Sequence, residues 1–175
     1  DYLPLGGRTV PFMASFGEGY QIDVVSLIHT PDGRVNTYSP KLNLDVVRRK
    51  VQKIEDNAGQ IARLEARFLE GARRLVVCYG ASSRSSLEAV TEARELGHLD
   101  VGYLRLVTLW PFPEETLRNL IPPGVKSIIM PEMNLGMMIH PVREALRDRV
   151  EKFVPVPSLG TIHTPEMILE AINSL

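Results

Sequence analysis

The residue types best suited to holding an anion follow an apolar run, Arg73 to Tyr79, that predicts a buried strand. The next residues, Gly80-Ala81-Ser82-Ser83-Arg84, open a predicted helix, so backbone amides, the helix dipole and the Arg84 guanidinium could together hold a phosphate or carboxylate. A dinucleotide fingerprint would need two further glycines, where the sequence has Ser82 and Ser85. The pattern therefore favours a structural turn with a capped helix N-terminus. The alternative is an anion site formed by Gly80, Ser82, Ser83 and Arg84.

Two further loops carry residues suited to binding a partner. Glu132-Met133-Asn134-Leu135-Gly136 follows a predicted strand, at the edge where open α/β sheets present ligand or partner surfaces. The local alternative is that Asn134 caps a helix and Glu132 pairs within the loop. Trp110-Pro111-Phe112-Pro113 places two aromatic side chains on a stiff backbone, which suits a partner anchor or, alternatively, the sealed end of a core. The interface candidates are Glu132, Asn134, Gly136, Trp110 and Phe112.

The sequence predicts neither a catalytic residue nor a metal site. The histidines offer no pair at the spacing of three or four that places two ligands on one helix face. No serine lies in a Gly-X-Ser-X-Gly elbow, so acyl-transfer chemistry finds no support. Cys78 is the single cysteine, which excludes an intramolecular disulfide and a four-thiolate cluster, and its apolar strand is typical of an unreactive core thiol. The histidines are His29, His98, His140 and His163.

The composition limits the classes of partner. A formal net charge of -1 disfavours nucleic acid and anionic membranes, which attract basic surfaces. No apolar stretch approaches the length of a membrane span, and no signal peptide begins the chain. The single cysteine is consistent with a reducing cytoplasm, which is the expected location. The start at Asp1, without methionine, is consistent with a fragment of a longer subunit.

Patterning divides the 175 residues into three parts. Residues 1–39 are rich in glycine, proline and β-branched residues, with a hairpin turn predicted at Asp32-Gly33. Residues 40–71 contain apolar positions three and four apart from about Leu44 to Leu69, which predicts one long amphipathic connecting helix. Residues 72–175 form the predicted α/β domain.

The third part alternates strand and helix four times, which predicts a mainly parallel sheet of about five strands with helices on both faces. Its apolar runs are short and continuous, as in strands covered on both sides. Pro141 is compatible with the third helix only if that helix starts near His140 or is kinked there. The predicted strands are 73–79, 101–107, 127–130 and 152–156, and the predicted helices are about 83–96, 114–120, one ending near 149, and 165–173.

Several local strings then resemble one family, the alpha subunits of 2-oxoacid:ferredoxin oxidoreductases, in particular the 2-oxoglutarate synthases. Their order and spacing over essentially the whole chain carry the resemblance. Met137, where glutamine is frequent, and His140-Pro141 depart from the common pattern. The main strings are Thr9-Val10-Pro11-Phe12-Met13, Phe16-Gly17-Glu18-Gly19-Tyr20, Arg48-Arg49-Lys50, Tyr79-Gly80-Ala81-Ser82, Thr108-Leu109-Trp110-Pro111-Phe112-Pro113, Pro131-Glu132-Met133-Asn134-Leu135-Gly136 and Thr164-Pro165-Glu166.

The resemblance implies a fold similar to the C-terminal domain of transketolase and a supporting role in a larger enzyme. That enzyme would use thiamine diphosphate, magnesium and a [4Fe-4S] cluster to convert a 2-oxoacid and coenzyme A into acyl-CoA, carbon dioxide and reduced ferredoxin. The implied partners are a beta subunit, which carries the diphosphate and cluster sites, then ferredoxin, coenzyme A and possible small subunits. No cofactor is expected on this chain.

Two alternatives remain open at this point. The chain could be an anion- or coenzyme A-binding module that uses the Gly80–Arg84 loop. It could also be a purely structural dimerisation domain, in which the long helix and a sheet edge pair with a second copy.

Overall fold

The structure, a computed structural model, describes residues 14–20 and 23–175. The chain divides into two compact units, Asp1–Ala58 and Gly59–Leu175. The string at 9–13 and part of the predicted β-rich run therefore lie outside the described residues.

In the first unit the turn predicted at Asp32-Gly33 is present. The Thr30 amide donates to the Arg34 carbonyl (2.8 Å), and His29 and Val35 form an antiparallel bridge. Gly33 adopts a φ of 84°, which glycine reaches without a steric penalty. That bridge is the only β-pairing among the described residues of the first 39, so they contain less β-structure than the pattern predicts.

The prediction of one long helix over 40–71 is wrong. Helix α1 covers Pro40–Glu55 and begins where the Ser39 hydroxyl accepts from the Leu42 amide. A separate turn of helix, α2, covers Ala58–Ile61. Asn57 interrupts the pattern because its side-chain amide donates to the Lys53 carbonyl (2.7 Å), which competes with helix continuation.

The end of the same stretch is a strand. Strand β1, Leu64–Arg67, alternates half-buried and exposed side chains, which is the period of two expected of a strand with one covered face. It pairs antiparallel with a later strand of the sheet. The boundary predicted at residue 72 is therefore too late, since the α/β sheet already includes β1.

The predicted five-stranded, mainly parallel sheet is confirmed. Strands β2 (Arg74–Tyr79), β3 (Val101–Leu106), β4 (Ser127–Glu132) and β5 (Lys152–Pro157) are parallel, and the order across the sheet is β1-β3-β2-β4-β5. Central β2 buries four consecutive residues, Leu75 to Cys78, because helices cover both faces.

Four helices cover this sheet, at the places predicted. They are α3 (Ser82–Glu95), α4 (Glu114–Leu120), α5 (Ile139–Leu146) and α6 (Pro165–Asn173). Residues of α4 and α5 pack into one buried cluster and residues of α3 and α6 into the other. Pro141 is the third residue of α5, in the first turn, where a missing amide costs no intrahelical hydrogen bond.

Gly102 in β3 lies in close contact with the segment that joins β1 to β2. A Cβ at this position would lie 2.9 Å from the Phe68 carbonyl oxygen and 3.0 Å from Leu75 Cδ1. We expect Gly102→Ala to lower the free energy of unfolding by about 2 kcal/mol, because backbone must shift to relieve the clash. Urea denaturation followed by circular dichroism measures this change.

Gly124→Ala is the matched control for that prediction. Its Cβ would meet only the Ala72 carbonyl oxygen, at an ordinary 3.8 Å. Equal stability of the two variants would contradict the close-packing argument.

Candidate functional site

The candidate site lies at the carboxyl edge of the sheet, where the four parallel strands end. The connections to the following helices are 80–81 after β2, 107–113 after β3, 133–138 after β4 and 158–164 after β5. Open α/β sheets usually present binding surfaces at this edge. The edge therefore brings together the segments that sequence analysis selected separately.

Glu132, the last residue of β4, is buried and binds the backbone of the loop that follows the strand. Its side chain is 1% exposed, and its carboxylate accepts from the backbone amides of Met137 (3.1 Å), Met138 (2.8 Å) and Ile139 (3.0 Å). These amides belong to the first turn of α5 and the residues before it, where unpaired donors and the helix dipole favour a negative group. Glu132 thus closes the 133–138 loop onto the end of its own strand.

Tyr79 and Asn134 complete this network. The Tyr79 hydroxyl donates to Glu132 Oε2 (3.1 Å) and accepts from the Asn134 side-chain amide (2.7 Å). Burial raises the pKa of Tyr79 and Glu132 raises it further, against the hydrogen bond from Asn134, so the hydroxyl keeps the proton it donates. Asn134 Oδ1 accepts from the amides of Gly136 and Met137, both at 2.8 Å. Glu132 therefore pairs within the loop, as the local alternative expects, but Asn134 does not cap α5, which begins after Met138 without a side-chain cap.

Along the 133–138 loop, residues alternate between exposed and partly buried. Asn134, Gly136 and Met138 are partly buried, whereas Met133, Leu135 and Met137 are exposed. The polar groups of Glu132 and Asn134 form hydrogen bonds within the protein. The side chains that the loop exposes to solvent are therefore apolar.

The two aromatic residues of the 107–113 connection differ in burial. Phe112 is half-buried and packs against the core on the side of α4 and α5, as a core seal would. Trp110 is 57% exposed, and the Trp110–Pro111 peptide bond is cis. Of the two predicted anchors, only Trp110 faces outward.

The predicted anion site does not assemble as a set of side chains. Ser82 is buried and its hydroxyl lies 3.1 Å from His163 Nδ1, while buried Ser83 Oγ has no hydrogen-bond partner. Helix α3 starts after Ala81 without a side-chain hydrogen bond at its cap, so the capped helix N-terminus that the sequence favours is absent. Among the four candidates, the exposed ones are Gly80 and Arg84.

Sequence reasoning missed the role of His163. The ring is buried, and because a carbonyl only accepts, Nε2 donates to the Val156 carbonyl (2.7 Å). In the neutral ring Nδ1 then accepts from Ser82, whose hydroxyl donates. The partners are 81 residues apart in the chain, so no spacing rule could have paired them. His163 ties the β5–α6 connection to the start of α3.

Three further features concern a reactive thiol, a metal centre and a membrane span. Cys78 is buried in β2, and burial raises the pKa of its thiol, which keeps the thiol protonated. Within residues 14–20 and 23–175, no three histidine, cysteine or acidic residues are grouped so that they could hold a metal ion. In the same ranges, no helix combines the length and the apolar character that crossing a bilayer requires.

Comparison with known proteins agrees with this architecture. Residues 72–167 match the family model described as pyruvate:ferredoxin oxidoreductase core domain II. The 2-oxoglutarate synthase subunit KorA of Methanocaldococcus jannaschii is 37% identical over 94% of this chain and 43% of its own length. KorA of Methanothermobacter thermautotrophicus is 37% identical over 98% of this chain and 46% of its own.

A third relative matches a shorter stretch. The ketoisovalerate oxidoreductase subunit VorB of Methanothermobacter thermautotrophicus is 37% identical over 57% of this chain and 27% of its own length. The chain therefore spans less than half the length of each of these curated relatives.

Two solved structures share the fold. A 2-oxoglutarate:ferredoxin oxidoreductase from Magnetococcus marinus superposes over 99% of this chain and 30% of its own, with a TM-score of 0.68 and 22% identity. A split gene transketolase superposes over 64% of this chain and 40% of its own, with a TM-score of 0.53 and 18% identity. The expected transketolase-like fold is confirmed. Since the family model matches more than half of its residues, the chain belongs to the pyruvate:ferredoxin oxidoreductase core domain II family.

Proposed function

We propose that this chain is the C-terminal part of the alpha subunit of a thiamine diphosphate-dependent 2-oxoacid:ferredoxin oxidoreductase. The enzyme would convert a 2-oxoacid and coenzyme A into acyl-CoA, carbon dioxide and reduced ferredoxin, and 2-oxoglutarate is the proposed acid. The observation that carries this proposal is the 37% identity to KorA subunits over 94% and 98% of the chain. VorB, named for ketoisovalerate, aligns over 57% only. The proposed location is the cytoplasm.

The role assigned to this chain is to brace the assembly with the beta subunit, without a catalytic residue. In support, three polar side chains at the carboxyl edge make internal hydrogen bonds. Glu132 accepts from three backbone amides, Asn134 from two, and the His163 ring is held at both nitrogens. Groups held in this way fix loop geometry, which is the role of a structural part of the assembly.

The described residues do not fit the iron–sulfur cluster of such an enzyme. A [4Fe-4S] cluster needs four ligands, usually thiolates, and Cys78, the single cysteine, is buried within β2. We therefore propose that the cluster lies on another part of the complex, together with thiamine diphosphate and magnesium. Ferredoxin, coenzyme A and any small subunits would interact there too.

The coenzyme A-binding alternative keeps little support. Ser82 and Ser83 are buried, which leaves Gly80, Arg84 and the uncapped start of α3 for an anion. A homodimer of the isolated chain remains testable by light scattering.

The test is coenzyme A-dependent viologen reduction by the full-length parent subunit, co-expressed anaerobically with its partner subunit. A panel of 2-oxoacids is offered to the complex. We expect reduction with 2-oxoglutarate. Reduction with a different acid alone would keep the reaction and change the substrate, and an assembled, cofactor-loaded complex that reduces nothing would refute the proposal.

A further inference from the structure

The carboxyl edge of the sheet differs from the amino edge in charge. The connections 80–81, 107–113, 133–138 and 158–164 contain no Asp, Glu, Lys or Arg. At the opposite edge, every segment that leads into a parallel strand carries at least one charged residue, in 68–73, 96–100, 121–126 and 147–151. Charged residues make up 23% of the chain, so their absence from these four connections distinguishes the carboxyl edge from the amino edge.

The same edge exposes large apolar side chains on three of its four connections, namely those after the adjacent strands β4 and β5 and the one after β3. Leu135 is 79% exposed and Met137 72%. Several large apolar side chains exposed on one edge are uncommon on a surface that stays in water, and they mark places where another molecule packs. The set is Trp110, Met133, Leu135, Met137, Leu159 and Ile162, hereafter the apolar edge.

Hydrogen bonds hold the apolar edge in place before any partner arrives. Glu132 and Asn134 fix the 133–138 connection through five backbone amide contacts. Ser158 Oγ donates to the Thr161 carbonyl (2.7 Å), and the Ser158 amide donates to the Glu132 carbonyl (2.9 Å). His163 then fastens the end of that connection to Ser82. A surface ordered in advance loses little conformational entropy on docking.

The chemistry of this surface selects its occupant. The four connections carry no charge, and the first turns of the helices that follow add exposed Arg84, Glu114, Glu115 and Glu166. With one arginine against three glutamates, the edge is poorly suited to a phosphate, a nucleic acid or an acidic peptide, each of which is bound through cations. Uncharged apolar surfaces are typical of permanent protein contacts, which resemble a domain core cut in half. The matched KorA subunits continue well beyond the aligned region, since this chain spans 43% and 46% of their length.

We infer that the apolar edge is the docking surface for another domain of the same subunit, which presents an uncharged apolar face to it. The inference rests on the proposed function, because it requires that the chain be part of a longer alpha subunit. Trp110 and Leu135 are the proposed anchors of this contact, on the connections after β3 and β4.

Cysteine labelling of the full-length parent subunit tests the inference. Leu135→Cys and Leu159→Cys report on the apolar edge. Leu99→Cys is the matched control, because Leu99 is as exposed as Leu159 (64%) but lies at the amino edge. Native Cys78 is fully buried and adds no background from this chain. A charged maleimide is applied to the subunit alone and to its complex with the partner subunit, and labelled peptides are counted by mass spectrometry.

We expect both edge cysteines to react at least tenfold more slowly than Cys at position 99 already in the subunit alone. Slow reaction that appears only in the complex would overturn the same-subunit occupant in favour of the partner subunit. Equally fast reaction in both samples would overturn docking altogether. Hydroxyl-radical footprinting of Trp110, Met133 and Met137 in the unsubstituted protein gives the same reading without any substitution.

Labelling is read without catalysis, so the two proposals fail separately. An inactive complex with protected edge residues would refute the proposed function alone. An active complex with freely labelled edge residues would refute the docking inference alone.

Discussion

Replacement of Glu132 by alanine is expected to lower the free energy of unfolding of this chain by about 3 kcal/mol, the largest loss from any single polar side chain at the carboxyl edge. The carboxylate is buried and accepts from three backbone amides and the Tyr79 hydroxyl. Hydrogen bonds to a charged group contribute more than neutral ones, and their loss leaves several donors without a partner.

Two milder substitutions separate the effect of the Glu132 charge on stability from the effect of its size. Glu132→Gln keeps the length but turns one carboxylate oxygen into a donor that faces an amide, so we expect an intermediate loss of about 1–2 kcal/mol. Tyr79→Phe removes only the hydroxyl between Glu132 and Asn134, with an expected loss of about 1 kcal/mol. Urea denaturation followed by far-ultraviolet circular dichroism gives each value.

Glu151→Ala is the control for this series. Glu151 pairs with Lys126 at the amino edge, where both side chains are largely exposed, and exposed pairs contribute little to stability, typically under about 1 kcal/mol. If Glu132→Ala unfolded at the same urea concentration as Glu151→Ala, the carboxylate would not be the anchor of the loop.

Strands and helices of the α/β part were predictable because each has a local cause. Leu75 to Cys78 is a continuous apolar run, as expected for a strand with helices on both sides. Thr164 caps α6 through the Met167 amide, with Pro165 next, which is a complete local start signal. Strand β1 was missed because Leu64 lies three residues after Ile61 and four before Phe68, which continues the helical spacing. Its pairing with β3 is decided by tertiary contact.

The candidate site was predictable only as a set of loops. That Glu132 and Trp110 lie at one edge follows from parallel strands ending on the same side. The Tyr79–Glu132 pair spans 53 residues and the Ser82–His163 pair 81. Neither pair has a local signal, because a fixed spacing arises only within one helix or strand. The same reason applies to the start of α3, where the expected side-chain cap is absent and the Ser82 hydroxyl pairs with His163, which the local sequence does not contain.

Leu135→Glu should separate folding from assembly more sharply than any other single change. Leu135 is 79% exposed in this chain, so the substitution is expected to change its free energy of unfolding by less than about 0.5 kcal/mol. In the full-length subunit the same carboxylate would be buried against an apolar face, which is strongly unfavourable without a partner charge. We expect at least a tenfold loss of coenzyme A-dependent activity or of assembled complex. Size-exclusion chromatography and viologen reduction measure these two quantities.

Leu99→Glu is the matched control, because it introduces the same charge at a 64% exposed leucine of the amino edge. Position 99 is exposed beside the Arg74–Asp100 ion pair, so the new charge remains hydrated. We expect this variant to assemble and react within about twofold of the unsubstituted enzyme, the range of a neutral surface change. Two outcomes would contradict the asymmetry between the edges: full activity of Leu135→Glu, or equal losses in both variants. Charged residues are absent from the connections of the carboxyl edge and present in every segment of the amino edge, and this difference makes a single glutamate tolerable at the amino edge and disruptive at the carboxyl edge.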